Sequence, residues 1–266
     1  MDILNRLPVD QYNAVDDLLT FISIYDDTRR TRAYLQMLEA EKDRIQGAVC
    51  VDAGAGIGLF SERMIQLGAK TVYAVEPNPY LFQLARKRLE KYPNVKFIQA
   101  PVETFEPEEP VDILVHEFFG QLLYDEDLYD LEKISFKPRL YLPDKATLMY
   151  GTTQSTIVAD DTVTPEVLRM LEGVLVSGLF DEGDLPLQHP VISWEPDYFP
   201  RSATVEIVTP GDVLYLGLKI WHQNREICVA GLCSNWAYVW TPVAGTRFSL
   251  HFLEDERGSE AVFQWI

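Results

Sequence analysis

Cysteine and histidine are scarce in this sequence, basic residues are outnumbered, and no long apolar run occurs. Each shortage removes a class of protein. The three cysteines, Cys50, Cys228 and Cys233, form no Cys-x-x-Cys pair and imply no disulfide framework. The four histidines, His116, His189, His222 and His251, lie far apart without ligand spacing, so no metal site is predicted. Lys and Arg number 23 against 41 Asp and Glu, a formal net charge of −18. That balance excludes the basic face a nucleic-acid binder needs and disfavours an anionic membrane surface. It suits cationic partners instead. No apolar stretch reaches the roughly 18 residues that would span a bilayer. The opening MDILNRLPVDQYNAVDD lacks the basic-then-apolar order of a secretory signal. The expectation is a soluble, cytoplasmic protein.

What is present changes character near Pro143. Before it, short apolar runs alternate with helical patterns: AVCVDAG then IGLFSERMIQLG, TVYAVE then PYLFQLARKRLEKY, VKFIQA, and VDILVHE followed by a helical stretch near Asp125–Ile134. That alternation predicts a doubly wound parallel sheet, an α/β domain of Rossmann-like type. After it come runs rich in Val, Thr, Tyr, Trp and Phe, such as ATLMYGTTQSTIVA, VLYLGLKIWH and RFSLHFL. These read as antiparallel strands of a β-barrel or β-sandwich. Residues 1–45 read as helical, with DDTRRTRAYLQMLEAEKDRI the clearest amphipathic piece, and Pro165–Phe180 as a helix interrupting the strands. The expected organisation is a helical lid over 1–45, a nucleotide-type domain over 46–143, and a β-barrel-like substrate domain over 144–266.

The first chemical signal is Asp52-Ala-Gly54-Ala-Gly56-Ile-Gly58, between a strand and a helix. Glycines there let the backbone turn sharply and approach a ligand closely. The spacing is G-x-G-x-G, with Leu59 where a dinucleotide fingerprint has its third glycine, and the Gly-Lys-Ser/Thr ending of a phosphate loop is missing. An acid just before the glycines repels a pyrophosphate but suits a ligand carrying an ammonium and a sulfonium, so Asp52 points to S-adenosyl-L-methionine. Glu76, closing the next strand in VYAVEPNP, is placed to accept both ribose hydroxyls. Val102 and Glu103, after the third strand, are placed to flank an adenine ring and its amino group.

The fourth strand runs into His116-Glu117-Phe118-Phe119-Gly120-Gln121-Leu122-Leu123-Tyr124-Asp125-Glu126. Two glutamates nine positions apart flank a glycine-containing aromatic loop at the sheet edge where such folds bind ligands. Two carboxylates in this setting either act as general acid and base or clamp one planar cation, and a guanidinium's fork of donors matches them. Alternatively, Glu126 belongs to a solvated acidic run with Asp125 and Asp127.

Over about residues 24–150 the sequence resembles the protein arginine N-methyltransferases. The likeness rests on VDAGAGIGLF…VYAVEP, on the His116–Glu126 loop with the family's Glu-to-Glu spacing, on FKPRLYLPDKATLMY, and on Asp27-Thr28-Arg29-Arg30-Thr31 matching the family's Asp-x-x-Arg-Thr. The resemblance implies that Arg30 holds the cofactor carboxylate, that Asp27 borders the substrate site, and that Glu117 and Glu126 grip a guanidinium. The family's Thr-His-Trp loop corresponds at best to Ser234-Asn235-Trp236, which makes Asn235 and Trp236 substrate-side candidates without the histidine. The paired-tyrosine motif is reduced to Tyr12, and the loop's Trp-Met-Gly-Tyr has become Phe118-Phe119-Gly120-Gln121. The family's helical dimerisation arm has one reduced candidate, Pro165–Phe180, and its implied partner is a second copy of the chain, a homodimer.

The function expected is methyl transfer from S-adenosylmethionine to a guanidino nitrogen of arginine in a peptide, a protein or a small derivative. Two alternatives stay open: a methyltransferase for another small-molecule amine or hydroxyl, and a non-catalytic methyltransferase-like partner subunit.

Overall fold

The computed structural model describes residues 8, 19, 21–155, 164–178, 185–255 and 258–266. Tyr12 with most of residues 1–20, the stretch around Thr156–Ala159, and Phe180 lie outside the described residues.

Residues 21–26 are helical, and Asp27 then caps a new helix, α1 (Thr28–Ala40), by accepting the Arg30 amide at 2.8 Å. Arg30, Tyr34, Met37 and Leu38 are the buried residues of α1. Their spacing of four, three and one puts them on a single stripe. Tyr34 of the stripe stacks on Phe60, and Tyr34, Met37 and Leu38 share one core with a five-stranded parallel sheet of order β3-β2-β1-β4-β5. Its strands are β1 (Val49–Ala53), β2 (Thr71–Val75), β3 (Val95–Ile98), β4 (Ile113–His116) and β5 (Leu140–Leu142). Every residue of β1 and β2 is buried, as expected for strands covered on both faces. Two helices complete the crossovers. In α2 (Leu59–Gln66), Gly58 at φ 79° is the N-cap; α3 (Pro79–Leu89) has Pro79 in its first turn and Asn78 accepting the Tyr80 and Leu81 amides. The sheet order changes direction at β1 and β4, so the carboxyl ends of those strands form the crevice.

The second half is built on β10 (Val213–His222), whose apolar run is buried almost throughout. It pairs along its length with β6 (Lys145–Thr153) and also with β11 (Arg225–Val229) and β12 (Val239–Pro242). With β7 (Val176–Ser177) and β8 (His189–Trp194) these strands form a six-stranded sheet. A separate three-stranded sheet runs β14-β13-β9, from β9 (Ser202–Glu206), β13 (Arg247–Asp255) and β14 (Gly258–Trp265). The strand ladders leave both sheets open, so of the barrel and the sandwich the structure is sandwich-like. Pro165–Phe180 also departs from expectation. Its helix ends at Arg169, and Val176–Ser177 join the large sheet beside β12. Gly173 at φ 79° and Gly178 at φ 83° interrupt the apolar run that suggested a longer helix.

The two halves meet through aromatic residues. Trp194 of β8 packs against His116, Phe119, Tyr141 and Phe199. Tyr124 and Tyr129 donate to the carbonyls of Ser193 and Pro200.

Candidate active site

The glycine loop turns on three left-handed residues, Gly54, Gly56 and Gly58. Side chains there are excluded twice, by conformation and by space. A Cβ on Gly54 would lie 2.8 Å from Phe118 and one on Gly58 2.6 Å from Leu89, while one on Gly56 would run into the Phe21 ring. Asp52, at the end of β1, turns its carboxylate to the start of α2, accepting Ser61 N at 2.8 Å and Ser61 Oγ at 2.6 Å. Burial raises its pKa to about 6, against the pull of both Ser61 bonds. Glu76 ties the loop to the next one: Oε2 accepts Gly56 N and Oε1 accepts Asn78 N, both at 2.8 Å. Each oxygen keeps a further lone pair for a donor. Burial raises the Glu76 pKa, and those two amides oppose the rise. Val102 is buried, and Glu103 beside it has a buried Oε2 with no partner among the described residues.

From the opposite wall comes Arg30. It is 2% exposed, and its guanidinium forms an ion pair with Glu117 at the end of β4. Its Nε is buried and without a partner among the described residues. Arg29, one residue earlier, points away and donates to Leu232 O at 3.3 Å. Arg30, Glu117, Asp52, Gly54 and His116 line one cavity of about 110 Å³, closed above by Phe21 and Tyr25 of the 21–26 helix. Sequence reasoning missed Phe21 and Tyr25. Their four-residue spacing ahead of the Asp27 cap was the available signal, since it puts both rings on one helical face, where their centroids are 4.7 Å apart.

Glu126 stands apart from Glu117's pairing. Its side chain is exposed at the surface of a crowded loop, and it makes no hydrogen bond or ion pair among the described residues. Its pKa is raised to about 7, first by lost hydration and then by the charges of Asp125 and Asp127. His116 stays neutral, with burial pulling its pKa down to about 3.

Asp27 links this site to the second half of the chain. One of its oxygens caps α1 and the other accepts the Asn235 amide at 3.0 Å. Asn235 thus meets Asp27 through its backbone. Trp236 is 1% exposed and donates from Nε1 to Phe119 O at 2.7 Å, which places it behind the two-glutamate loop as a support. The structure therefore brings Arg30 and Glu117 into the cavity beside the glycine loop, and ties Asp27 to the backbones of Arg30 and Asn235 outside the cavity lining. Glu76, Val102 and Glu103 lie along the neighbouring strand ends, and Glu126 lies beyond the cavity lining. Among the described residues no cluster of His, Cys, Asp and Glu can hold a metal ion.

The methyltransferase domain family matches residues 50–131. Protein arginine N-methyltransferase 6 of Xenopus tropicalis is 32% identical over 225 residues, covering 82% of this chain and 63% of the relative. The chain is similar to the protein arginine N-methyltransferases. The enzyme of the same name from Xenopus laevis is 29% identical over 210 residues, 76% of this chain and 58% of the relative, so the chain spans about 60% of the length of these family members. Among solved structures, that of PRMT6 superposes with a TM-score of 0.68 over 91% of this chain and 97% of that one, at 14% identity. The Trypanosoma brucei PRMT1 enzyme-prozyme complex with AdoHcy gives 0.65 over 89% and 88%, at 15% identity. At such identities the structural likeness is one of fold, and it covers both halves of the chain.

Proposed function

We propose that the chain transfers a methyl group from S-adenosylmethionine to a guanidino nitrogen of arginine in a protein or peptide. One observation carries the reading: a single cavity joins the glycine loop to Glu117 through Arg30. The residues present fit the cofactor. Glu76 keeps acceptor capacity for ribose hydroxyls, and the unpartnered Glu103 Oε2 suits an amino group. Arg30, a buried cation with a free Nε, suits a carboxylate. When bound, the cofactor supplies an electrophilic methyl on a sulfonium.

The acceptor is harder to activate, because a guanidinium's lone pairs are delocalised. Glu117 and Glu126 bind it through charge-assisted hydrogen bonds, orient one terminal nitrogen, and draw positive charge toward the others. Orientation of this kind supplies about 7–11 kcal/mol in favourable cases. The Glu126 carboxylate, with its raised proton affinity, is the group at hand to take a proton from the methylated product. The acidic chain attracts arginine-rich substrates, and a second copy of the chain is the proposed partner.

Two measurements test this assignment. Glu76→Gln replaces an acceptor oxygen with a donor and leaves either Gly56 N or Asn78 N unpaired. The Kd for S-adenosylhomocysteine, read by calorimetry, is expected to rise about tenfold or more, the equivalent of one lost charge-assisted bond. An unchanged Kd removes Glu76 from the cofactor site. The second is a pH profile. Arginine stays protonated throughout the accessible range, so an acid limb reports the enzyme's carboxylate. Falling pH neutralises Glu126, and kcat/KM should drop below a pKa of about 7. In kcat the limb should sit lower, because a bound cation stabilises the carboxylate. A kcat/KM profile flat from pH 8 to pH 5.5 contradicts the role of Glu126.

A further inference from the structure

The two-glutamate loop is closed on itself by Asp125, a residue of the loop to which no role has been given above. Between Gly120 and Leu123 the chain reverses: the Leu123 amide donates to Gly120 O at 3.0 Å, with Leu123 in the left-handed region at φ 77°. Asp125 folds its carboxylate back into that turn, where Oδ1 accepts Leu122 N at 2.8 Å. The fit is tight. A Cβ on Gly120 would lie 2.6 Å from Asp125 Cγ and 3.1 Å from its carbonyl carbon. Glycine at 120 is thus required by the Asp125 carboxylate, and the two positions form one device. Glu126 follows in extended backbone, φ −134° and ψ −157°, with no side-chain partner of its own among the described residues. Its carboxylate is therefore aimed by its backbone, and that backbone is fixed by its neighbour.

We propose that Asp125 is a positioning residue: by capping Leu122 N beneath Gly120 it fixes the direction from which Glu126 meets the acceptor guanidinium. This rests on the reading that Glu126 grips the acceptor. Asp125 also supplies charge. It and Asp127 are the carboxylates flanking Glu126; Asp130 and Lys133 act on Asp127, and Arg30 is committed to Glu117. Burial raises the Asp125 pKa as well, while the Leu122 amide and its own amide lower it.

The two roles separate in two variants of the full chain. Asp125→Asn keeps an oxygen for Leu122 N and removes one like charge beside Glu126. Its kcat at pH 8 should stay within about threefold of the parent, and its acid limb in kcat/KM should move to lower pH. Asp125→Ala removes the acceptor. Its kcat should fall about a hundredfold, as a misplacement near 1 Å does, with the Kd for S-adenosylhomocysteine unchanged. A readout independent of turnover accompanies these: the Leu122 amide should exchange slowly with solvent deuterium in the parent and Asp125→Asn, and quickly in Asp125→Ala. Full activity in Asp125→Ala, equal losses in both variants, an unmoved acid limb in Asp125→Asn, or equal exchange in all three overturns the proposal. Glu126→Gln, assayed alongside, tells the two failures apart. If Glu126→Gln is inactive and Asp125→Ala is normal, only the positioning role falls. If Glu126→Gln is fully active, the guanidinium clamp falls and takes the positioning role with it.

Discussion

Glu117→Gln and Glu126→Gln should each remove methyl transfer to an arginine peptide, by about 10²–10³-fold or more in a single-turnover assay, while cofactor binding changes little. The amide keeps the shape of the side chain, loses its charge, and turns a donor toward a group that has only donors. The two variants have different side effects. Glu126 has no partner among the described residues, so its loss leaves the rest of the site as it was. Glu117 is the counter-ion of buried Arg30, and glutamine retains one oxygen for that guanidinium. The Kd for S-adenosylhomocysteine should therefore shift more in Glu117→Gln than in Glu126→Gln, and in both far less than the rate. If the carboxylates act on one cation together, as proposed, the double variant should be little slower than either single one. Rates near the parent's in either single variant would sink the clamp. Loss in only one variant would favour a hydroxyl or neutral amine as acceptor.

Arg30→Ala should be the most damaging change for cofactor affinity. It removes the cation proposed for the cofactor carboxylate and strands Glu117 beside it. Breaking a buried pair from one side costs about 3–5 kcal/mol. If cofactor binding carries that loss, the Kd for S-adenosylhomocysteine rises on the order of 10²–10³-fold. Arg30→Lys should recover only part of it, since an ammonium cannot reproduce the planar fork. Arg29→Ala should leave affinity near the parent's, because Arg29 bonds to Leu232 O on the surface. The reverse outcome, loss in Arg29→Ala and none in Arg30→Ala, would move the carboxylate site by one residue.

The parallel sheet was legible because its strands are short apolar runs closed by Gly, Pro or an acid, and fully buried strands of that type tolerate little else. The glycine loop and Glu76 were legible for the same reason: positive φ at three alternate positions leaves glycine as the choice. The choice of Arg30 over Arg29 came only through the resemblance, not from the residues themselves. In DTRRTR the two residues are chemically identical, and only the helical phase set by the Asp27 cap decides which one enters the core. The apolar run after Pro165 misled because periodicity cannot separate a buried helix from a turn that feeds a short strand. Gly173 and Gly178 held the better information. Asn235 and Trp236 were found through the resemblance, yet their work here passes through a backbone amide and an indole N–H aimed at a carbonyl. Such contacts leave almost no trace in residue type.

The two-glutamate loop belongs to the first half of the sequence, but much of what holds it comes from the second. Trp236 grips Phe119 O, Ser177 donates to Gln121, Tyr124 reaches Ser193 O, and Trp194 packs on Phe119. The glycine loop and Glu76, by contrast, are held by their own half. The part of the site proposed for the donor's nucleoside is thus held locally within the parallel-sheet half, whereas the loop proposed for the acceptor is held jointly by two sheets. On the proposed function, drift in the second half can therefore disturb the acceptor side first, while the glycine loop and Glu76 keep the contacts that hold them.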